Sequence, residues 1–196
     1  MEKYHFIINP KSGSYKGEGI IEKIKARFEG ENLYIHVTEY PGHAKEIVKK
    51  LCLQKDLIIV AVGGDGTINE IAEPMLFSTN LLGIIPNGSG NGLAGHMGIN
   101  KNIESCIEKI KNKHFIECDV IKVNNFISCN TAGVGFDVYV AKIFGQDGRR
   151  GFSAYLRLGL TGYSQYPEIQ VNFLNQTFSG LLTLEIANSS QLGNGA

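Results

Sequence analysis

At 196 residues the chain is long enough for one large domain or two small ones. Its 43% apolar and 19% charged residues are those of a globular protein. Lys plus Arg and Asp plus Glu balance at 19 each, so nothing in the charge points to nucleic acid or to a polybasic membrane anchor.

The first predicted strand is Tyr4 to Asn9, stopped by Pro10 and followed by the polar loop Lys11-Ser12-Gly13-Ser14. Ile20, Ile21, Ile24 and Phe28 then recur at helix spacing from Gly17 onward, and Gly30 ends that helix. Leu33 to Glu39 alternates as a second strand, and Pro41-Gly42 turns the chain. Ala44, Ile47, Val48, Leu51 and Cys52 mark a second amphipathic helix. Leu57 to Val62 is a continuous apolar run, the mark of a strand covered on both faces. It enters Gly63-Gly64-Asp65-Gly66 and a third helix from Thr67, which Pro74 disturbs; Thr67 and Glu70 have the spacing of a capping box. Leu81 to Ile85 is a short buried strand that runs into a second glycine loop, Pro86 to Gly92. Ile103, Cys106, Ile107 and Ile110 mark a further helix. Strands alternating with helices predict an open, mostly parallel sheet.

After about residue 115 the texture changes. Phe115 to Val123 and Phe126 to Thr131 read as a hairpin around Asn124-Asn125. Helical segments are expected over Phe136 to Phe144 and Phe152 to Tyr163, then strands at Ile169 to Phe173 and Leu181 to Ala187. The expected division is an α/β domain over 1–117 and a mostly β domain over 118–196, with the boundary near Glu117. So few strands would leave an exposed sheet edge, which suggests that the natural fold continues past Ala196.

Two glycine loops each follow a strand and open a helix, beside the strand-end loop Asn9 to Ser14. Exposed backbone N–H groups and the positive ends of helices suit phosphate oxygens. Asp65 adds a carboxylate, which phosphates repel unless a divalent cation bridges them or the carboxylate accepts a proton. The combination suggests phosphoryl transfer. Gly90, Gly92 and Gly95 match the dinucleotide fingerprint, but at the fourth strand and without the acidic residue about 20 positions on. A Walker A loop is absent.

Three segments occur in a telling order: Asn9-Pro10-Lys11-Ser12-Gly13, Gly63-Gly64-Asp65-Gly66-Thr67-Ile68-Asn69-Glu70 and Pro86-Asn87-Gly88-Ser89-Gly90-Asn91. With Thr38, Pro41-Gly42-His43-Ala44 and Asn130-Thr131-Ala132-Gly133-Val134-Gly135-Phe136-Asp137, they resemble the catalytic domain shared by diacylglycerol, sphingosine and ceramide kinases and their bacterial lipid-kinase relatives. Gly-Gly-Asp-Gly-Thr alone is shared with NAD kinases; the Gly-Ser-Gly-Asn loop makes the lipid-kinase resemblance specific. The resemblance implies ATP and Mg2+ in a cleft, surrounded by Asn9, Pro10, Lys11, Ser12, Gly13, Thr38, Gly63, Gly64, Asp65, Gly66, Thr67, Asn69, Glu70, Gly88, Ser89, Gly90 and Asn91. Asp65 would be the key acid, holding magnesium or deprotonating the hydroxyl of a diacylglycerol-like or sphingoid membrane lipid. A further acidic residue of such kinases falls at or beyond Ala196. The alternatives are an NAD kinase-like enzyme and a non-catalytic nucleotide-binding fragment.

The lesser candidates have bland explanations. Arg149, Arg150 and Arg157 flank an apolar segment that could meet anionic headgroups, but three charges attract a membrane only modestly. His5, His36, His43, His96 and His114 form no metal spacing, though His43 sits where the Thr38 loop nears the expected nucleotide. Lys11 is as consistent with a solvated side chain as with a phosphate contact. Cys52, Cys106, Cys118 and Cys129 contain no C-x-x-C, which leaves buried thiols. No apolar run approaches the ~18 residues of a spanning helix, and no signal peptide precedes the first strand. The expected location is the cytoplasm, with transient contact to the inner membrane surface.

Overall fold

The computed structural model describes residues 2–13, 17–136, 138–139 and 166–191. Two compact units divide the chain: Met1–Asn130 together with Asn188–Ala196, and Thr131–Ala187. This division falls after Asn130 and returns the chain to the first unit at Asn188, whereas the sequence places its boundary near Glu117.

The first unit is built on four parallel strands: β1 (Lys3–Ile8), β2 (Asn32–Val37), β3 (Ile58–Gly63) and β4 (Leu81–Pro86). Their order is β2-β1-β3-β4, with Phe6 opposite Ile35 on one side and Val60 on the other. The helices are α1 (Gly17–Arg27), α2 (His43–Leu51), α3 (Asp65–Met75), α4 (Gly92–His96) and α5 (Ile103–Lys111). Strand alternation sorts the core into two layers. Ile7, Ile59 and Ala61 pack with Val48, Ile68 and Ile71 of α2 and α3. Phe6, Ile8, Val60 and Val62 pack with Ile24, Cys106 and Ile107 of α1 and α5, and with Phe28 just beyond α1. All six β3 residues are buried, as the apolar run predicts. Each fully buried Val or Ile contributes ~1.5–3 kcal/mol, so β3 anchors the loop that follows it.

The order matters for function. The chain moves from β1 to β2 in one direction across the sheet and then to β3 on β1's opposite side. The carboxyl ends of β1 and β3 therefore flank the reversal point, where open α/β sheets leave a crevice. Asn9 and Gly64 follow those two strands directly.

Beyond α5, the expected strand from Phe115 shrinks to β5 (Ile121–Val123), which pairs antiparallel with β6 (Phe126–Ser128). Residues 114–120 have no regular structure, and Phe115 and Ile116 are exposed rather than paired. The expected strand ending at Thr131 is split between β6 and β7 (Thr131–Gly135). In the second unit β7 pairs antiparallel with β10 (Thr183–Ala187), and β8 (Ile169–Phe173) pairs with β9 (Gln176–Leu181). Leu174 and Asn175 join β8 to β9 with φ of 47° and 62°, the double left-handed geometry of a type I′ turn. The expected helices over 136–144 and 152–163, and Arg149, Arg150 and Arg157, lie wholly or mostly outside the described residues.

One core feature goes beyond the apolar pattern. His5 on β1 is 5% exposed, stacks on Tyr34 at 4.5 Å, and brings Nδ1 to 3.1 Å from Nε2 of His36. Its own Nε2 is buried with no hydrogen-bond partner among the described residues. Burial, then the charges of His36 and Lys3, push the His5 pKa from 6.5 to about 4; burial also lowers that of His36. The folded pKa lies below the unfolded one, so as pH falls the unfolded chain takes up the proton first. This contribution to stability is complete above pH 6.5 and declines toward pH 4. Urea unfolding should show a loss on the order of 2 kcal/mol across that window from this site. His5→Leu should flatten the pH dependence by a similar amount, and equal slopes in the two proteins would contradict a buried neutral His5.

Candidate functional site

Four strand ends lie side by side: Thr38 after β2, Asn9 after β1, Gly63-Gly64 at β3 and Asn87-Gly88 after β4. The backbone carries the pairing past the strands. Thr38 N–H donates to Ile8 O at 2.9 Å, Asn9 N–H to Val62 O at 3.0 Å, and Asn87 N–H to Gly63 O at 2.8 Å.

Side chains then lock the loops together. Asn9 Oδ1 accepts from Lys11 N–H at 2.9 Å, turning the chain, while its Nδ2 donates to Thr67 Oγ1 at 3.1 Å. Asn87 Nδ2 donates to Ser12 O at 3.2 Å. Asn91 closes the second glycine loop on itself: its Oδ1 accepts from Gly88 N–H at 2.8 Å and its Nδ2 donates to Gly88 O at 2.6 Å. Two glycines are dictated by this packing. A Cβ on Gly88 would lie 2.5 Å from Gly64 Cα. One on Gly13 would lie 2.1 Å from Asn87 O, at a φ of +67° that only glycine adopts readily.

Asp65 is the first residue of α3, with Gly64 as its N-cap. Its Oδ2 accepts from Gly92 N–H and its Oδ1 from Leu93 N–H, both at 3.0 Å. The carboxylate therefore caps α4, whose own N-cap residue Asn91 is occupied with Gly88. Charge-assisted bonds to two amides fix the carboxylate's orientation. No side chain among the described residues caps α3 itself, so its first turn presents backbone N–H groups beside Asp65. Gly66 in that turn is exposed, and a Cβ there would meet nothing within 4 Å.

The capping-box spacing of Thr67 and Glu70 is not used as a cap. The helix begins two residues before Thr67, which is buried in its first turn and accepts from Asn9 instead of capping. Asn69 is placed differently from the loop residues. Its Nδ2 donates to Ile127 O at 2.9 Å and its Oδ1 accepts from Cys129 N–H at 3.0 Å. Glu70 is half-buried on the same helix, Ser89 and Lys11 are exposed, and Pro10 and Gly90 flank the loop turns. His43 opens α2, accepts from Glu39 N–H at 3.2 Å and stacks on Tyr40 at 4.6 Å. The structure also reveals Asn87 and Leu93 as partners of the site, through Ser12 O and the Asp65 carboxylate; sequence pattern hides them because each contact joins a backbone atom to a side chain far away in sequence.

No group of three or more His, Cys, Asp or Glu that could hold a metal occurs among the described residues. Magnesium held mainly by phosphates and water needs only one or two protein carboxylates, and Asp65 offers one beside an anion-ready helix end. A hollow of 790 Å³ runs along the edge of β4, lined by residues such as Phe77, Leu82, Met97 and Ile116; it takes in none of the four strand ends, and of the residues bonded to Asp65 only Leu93.

Packed glycine loops at a sheet reversal point, an open helix N-terminus and a fixed carboxylate are what this α/β fold brings together. The chain belongs to the diacylglycerol kinase catalytic domain family, whose model matches residues 3–123. It is 29% identical over 177 residues to "Probable lipid kinase YegS-like" of Alcanivorax borkumensis, covering 86% of this chain and 59% of that protein. It is 31% identical over 140 residues to the diacylglycerol kinase of Bacillus subtilis, covering 69% and 46%. Sphingosine kinase B of Dictyostelium discoideum matches at 33% identity over half of this chain and 14% of its own length. The fold is that of a diacylglycerol kinase crystal structure from Bacillus anthracis, with a TM-score of 0.70 at 24% identity, covering 96% of this chain and 64% of that one. The chain thus spans about half to three fifths of the length of the two bacterial relatives.

Proposed function

We propose that this chain belongs to an ATP-dependent lipid kinase that passes the γ-phosphate of ATP to the hydroxyl of a diacylglycerol-like or sphingoid lipid. The observation that carries the reading is the Asp65 carboxylate, fixed by two amides next to the uncapped first turn of α3. Family membership and the names of the bacterial relatives support a lipid acceptor.

In this reading the N–H groups at the start of α3 and the loops at Asn9 to Gly13 and Gly88 to Asn91 receive the phosphates, with Thr38 and Ser89 at the margins. The lipid oxygen attacks the γ-phosphorus, the bond to the ADP oxygen breaks, and the hydroxyl proton leaves. Asp65 either takes that proton or holds magnesium; magnesium, when bound, supplies charge neutralisation at the phosphates. Asn9 steadies the first turn of α3 through Thr67. No helix among the described residues is long and apolar enough to cross a membrane, so a lipid acceptor would be met at a membrane surface.

The test is transfer from γ-labelled ATP to micelles of diacylglycerol, sphingosine or ceramide, with NAD in parallel. Label should appear in one lipid and vanish with EDTA. Transfer to NAD, or nucleotide binding without transfer to any acceptor, would overturn the proposal.

A further inference from the structure

The chain leaves the first unit after Asn130 and re-enters it at Asn188. These two crossing points are bonded to each other: Asn188 N–H donates to Asn130 O at 2.8 Å, Asn188 Nδ2 donates to Cys129 O at 3.2 Å, and the Ser189 hydroxyl bonds Asn130 Oδ1. The pair is anchored on two sides. Asn69 of α3 grips the backbone on the N-terminal side, at Ile127 O and Cys129 N–H. His96, the last residue of α4, accepts from Ser190 N–H at 3.2 Å through Nδ1, which also lies 3.0 Å from Ser190 Oγ.

The two anchoring helices are those that hold Asp65. Asp65 is the first residue of α3, and its carboxylate receives the first two N–H groups of α4. The bonds therefore close a circuit: from Asp65 along α3 to Asn69, through 127–130 to 188–190, to His96, and back along α4 to Gly92 and Leu93. An α-helix of five residues has little cohesion of its own. Leu93 and Ala94 bury its middle in the core, while Asp65 bonds its first two N–H groups and Ser190 its last residue.

We propose that Asn69 and His96 are positioning residues: they tie the paired crossing points at Asn130 and Asn188 to the two helices that orient Asp65. Asn69 thereby acts through the Asp65 carboxylate and not as a nucleotide ligand. The inference deepens the kinase reading, and rests on it only for the catalytic consequence.

Two measurements on the full chain test it. In the first, amide resonances of Gly92 and Leu93 are followed at fixed pH, with Asp65→Asn identifying the shift that reports the carboxylate contact. Asn69→Ala and His96→Ala should each move both resonances toward the Asp65→Asn positions. His96→Asn, whose side-chain oxygen can replace Nδ1 as acceptor, should restore them. In the second, both alanine variants should lower kcat for lipid phosphorylation about 10- to 100-fold with KM for ATP within about threefold, and His96→Asn should recover most of the loss. Unmoved amides in folded variants would overturn the proposal. So would a raised KM for ATP in Asn69→Ala at unchanged kcat, which would make Asn69 a nucleotide ligand. If wild-type protein phosphorylates no lipid while the amides respond as expected, the kinase reading fails and the positioning circuit stands.

Discussion

Asp65→Asn should reduce phosphoryl transfer by at least about 1,000-fold, a loss of ~4 kcal/mol in transition-state stabilisation. The substitution preserves size and removes only the charge and one acceptor. An aspartate accepts from Gly92 and Leu93 with separate oxygens at 3.0 Å each. An asparagine can accept one of these bonds, while its NH2 group faces the other N–H donor to donor. The variant should therefore also lose stability, on the order of 1–3 kcal/mol for a charge-assisted bond replaced by an unsatisfied amide. The two effects are separable. Kinetics below the melting transition report the catalytic loss, and urea unfolding reports the structural one. Nucleotide affinity discriminates further. If Asp65 holds magnesium, the magnesium dependence of ATP binding should weaken in the variant; if it takes the proton, Mg-ATP affinity should persist while turnover collapses. Transfer at a near wild-type rate would remove Asp65 from the chemistry altogether.

Much of this architecture is legible in the residues, for reasons that also mark where the legibility ends. Helix spacing in Ile20, Ile24 and Phe28, and the unbroken apolar run before Gly63, come from burial of one face or two, which is a local pattern. The loops at Asn9, Gly63 and Asn87 follow because glycine and asparagine mark turns between those elements. Strand order is different. Nothing periodic in β1 to β4 says that β1 is central, yet that order is what brings Asn9 beside Gly64. Asp65 reads from sequence as a carboxylate facing phosphate; that it also caps a helix 27 residues away depends on a contact to backbone amides, which carry no sequence signature. Thr67 and Asn69 show the same limit. Both have the residue types of a cap or a ligand, and both find partners that only the assembled loops supply, Asn9 for one and the 127–129 backbone for the other. The His5–His36 contact also escapes pattern reading, since a strand at Tyr4 to Asn9 can be read from the residues but not that two imidazoles meet across neighbouring strands.

The glycines provide the strongest separation of fold from function. Gly66→Ala should leave the protein at least as stable as wild type and still weaken ATP binding 10-fold or more. The residue lies in the first turn of α3, is exposed, and would place its methyl group in open space. Replacing glycine by alanine at a compatible helical position typically stabilises by ~0.4–1 kcal/mol. No contact among the described residues thus explains the glycine; in the proposed reading a ligand approaching the N–H groups of that turn would, because a methyl group there would hold phosphate oxygens away from the backbone. Gly88→Ala should behave in the opposite way. Its Cβ would sit 2.5 Å from Gly64 Cα and 2.9 Å from Asn91 Oδ1, so the two glycine loops must part. A loss of about 1–3 kcal/mol is expected, as for other overpacked sites, with ATP affinity falling as a consequence. Thermal unfolding and a nucleotide titration on both variants decide the matter. A Gly66→Ala protein that binds ATP like wild type would show that the first turn of α3 does not receive the phosphates, and the site would have to be sought at the other strand ends.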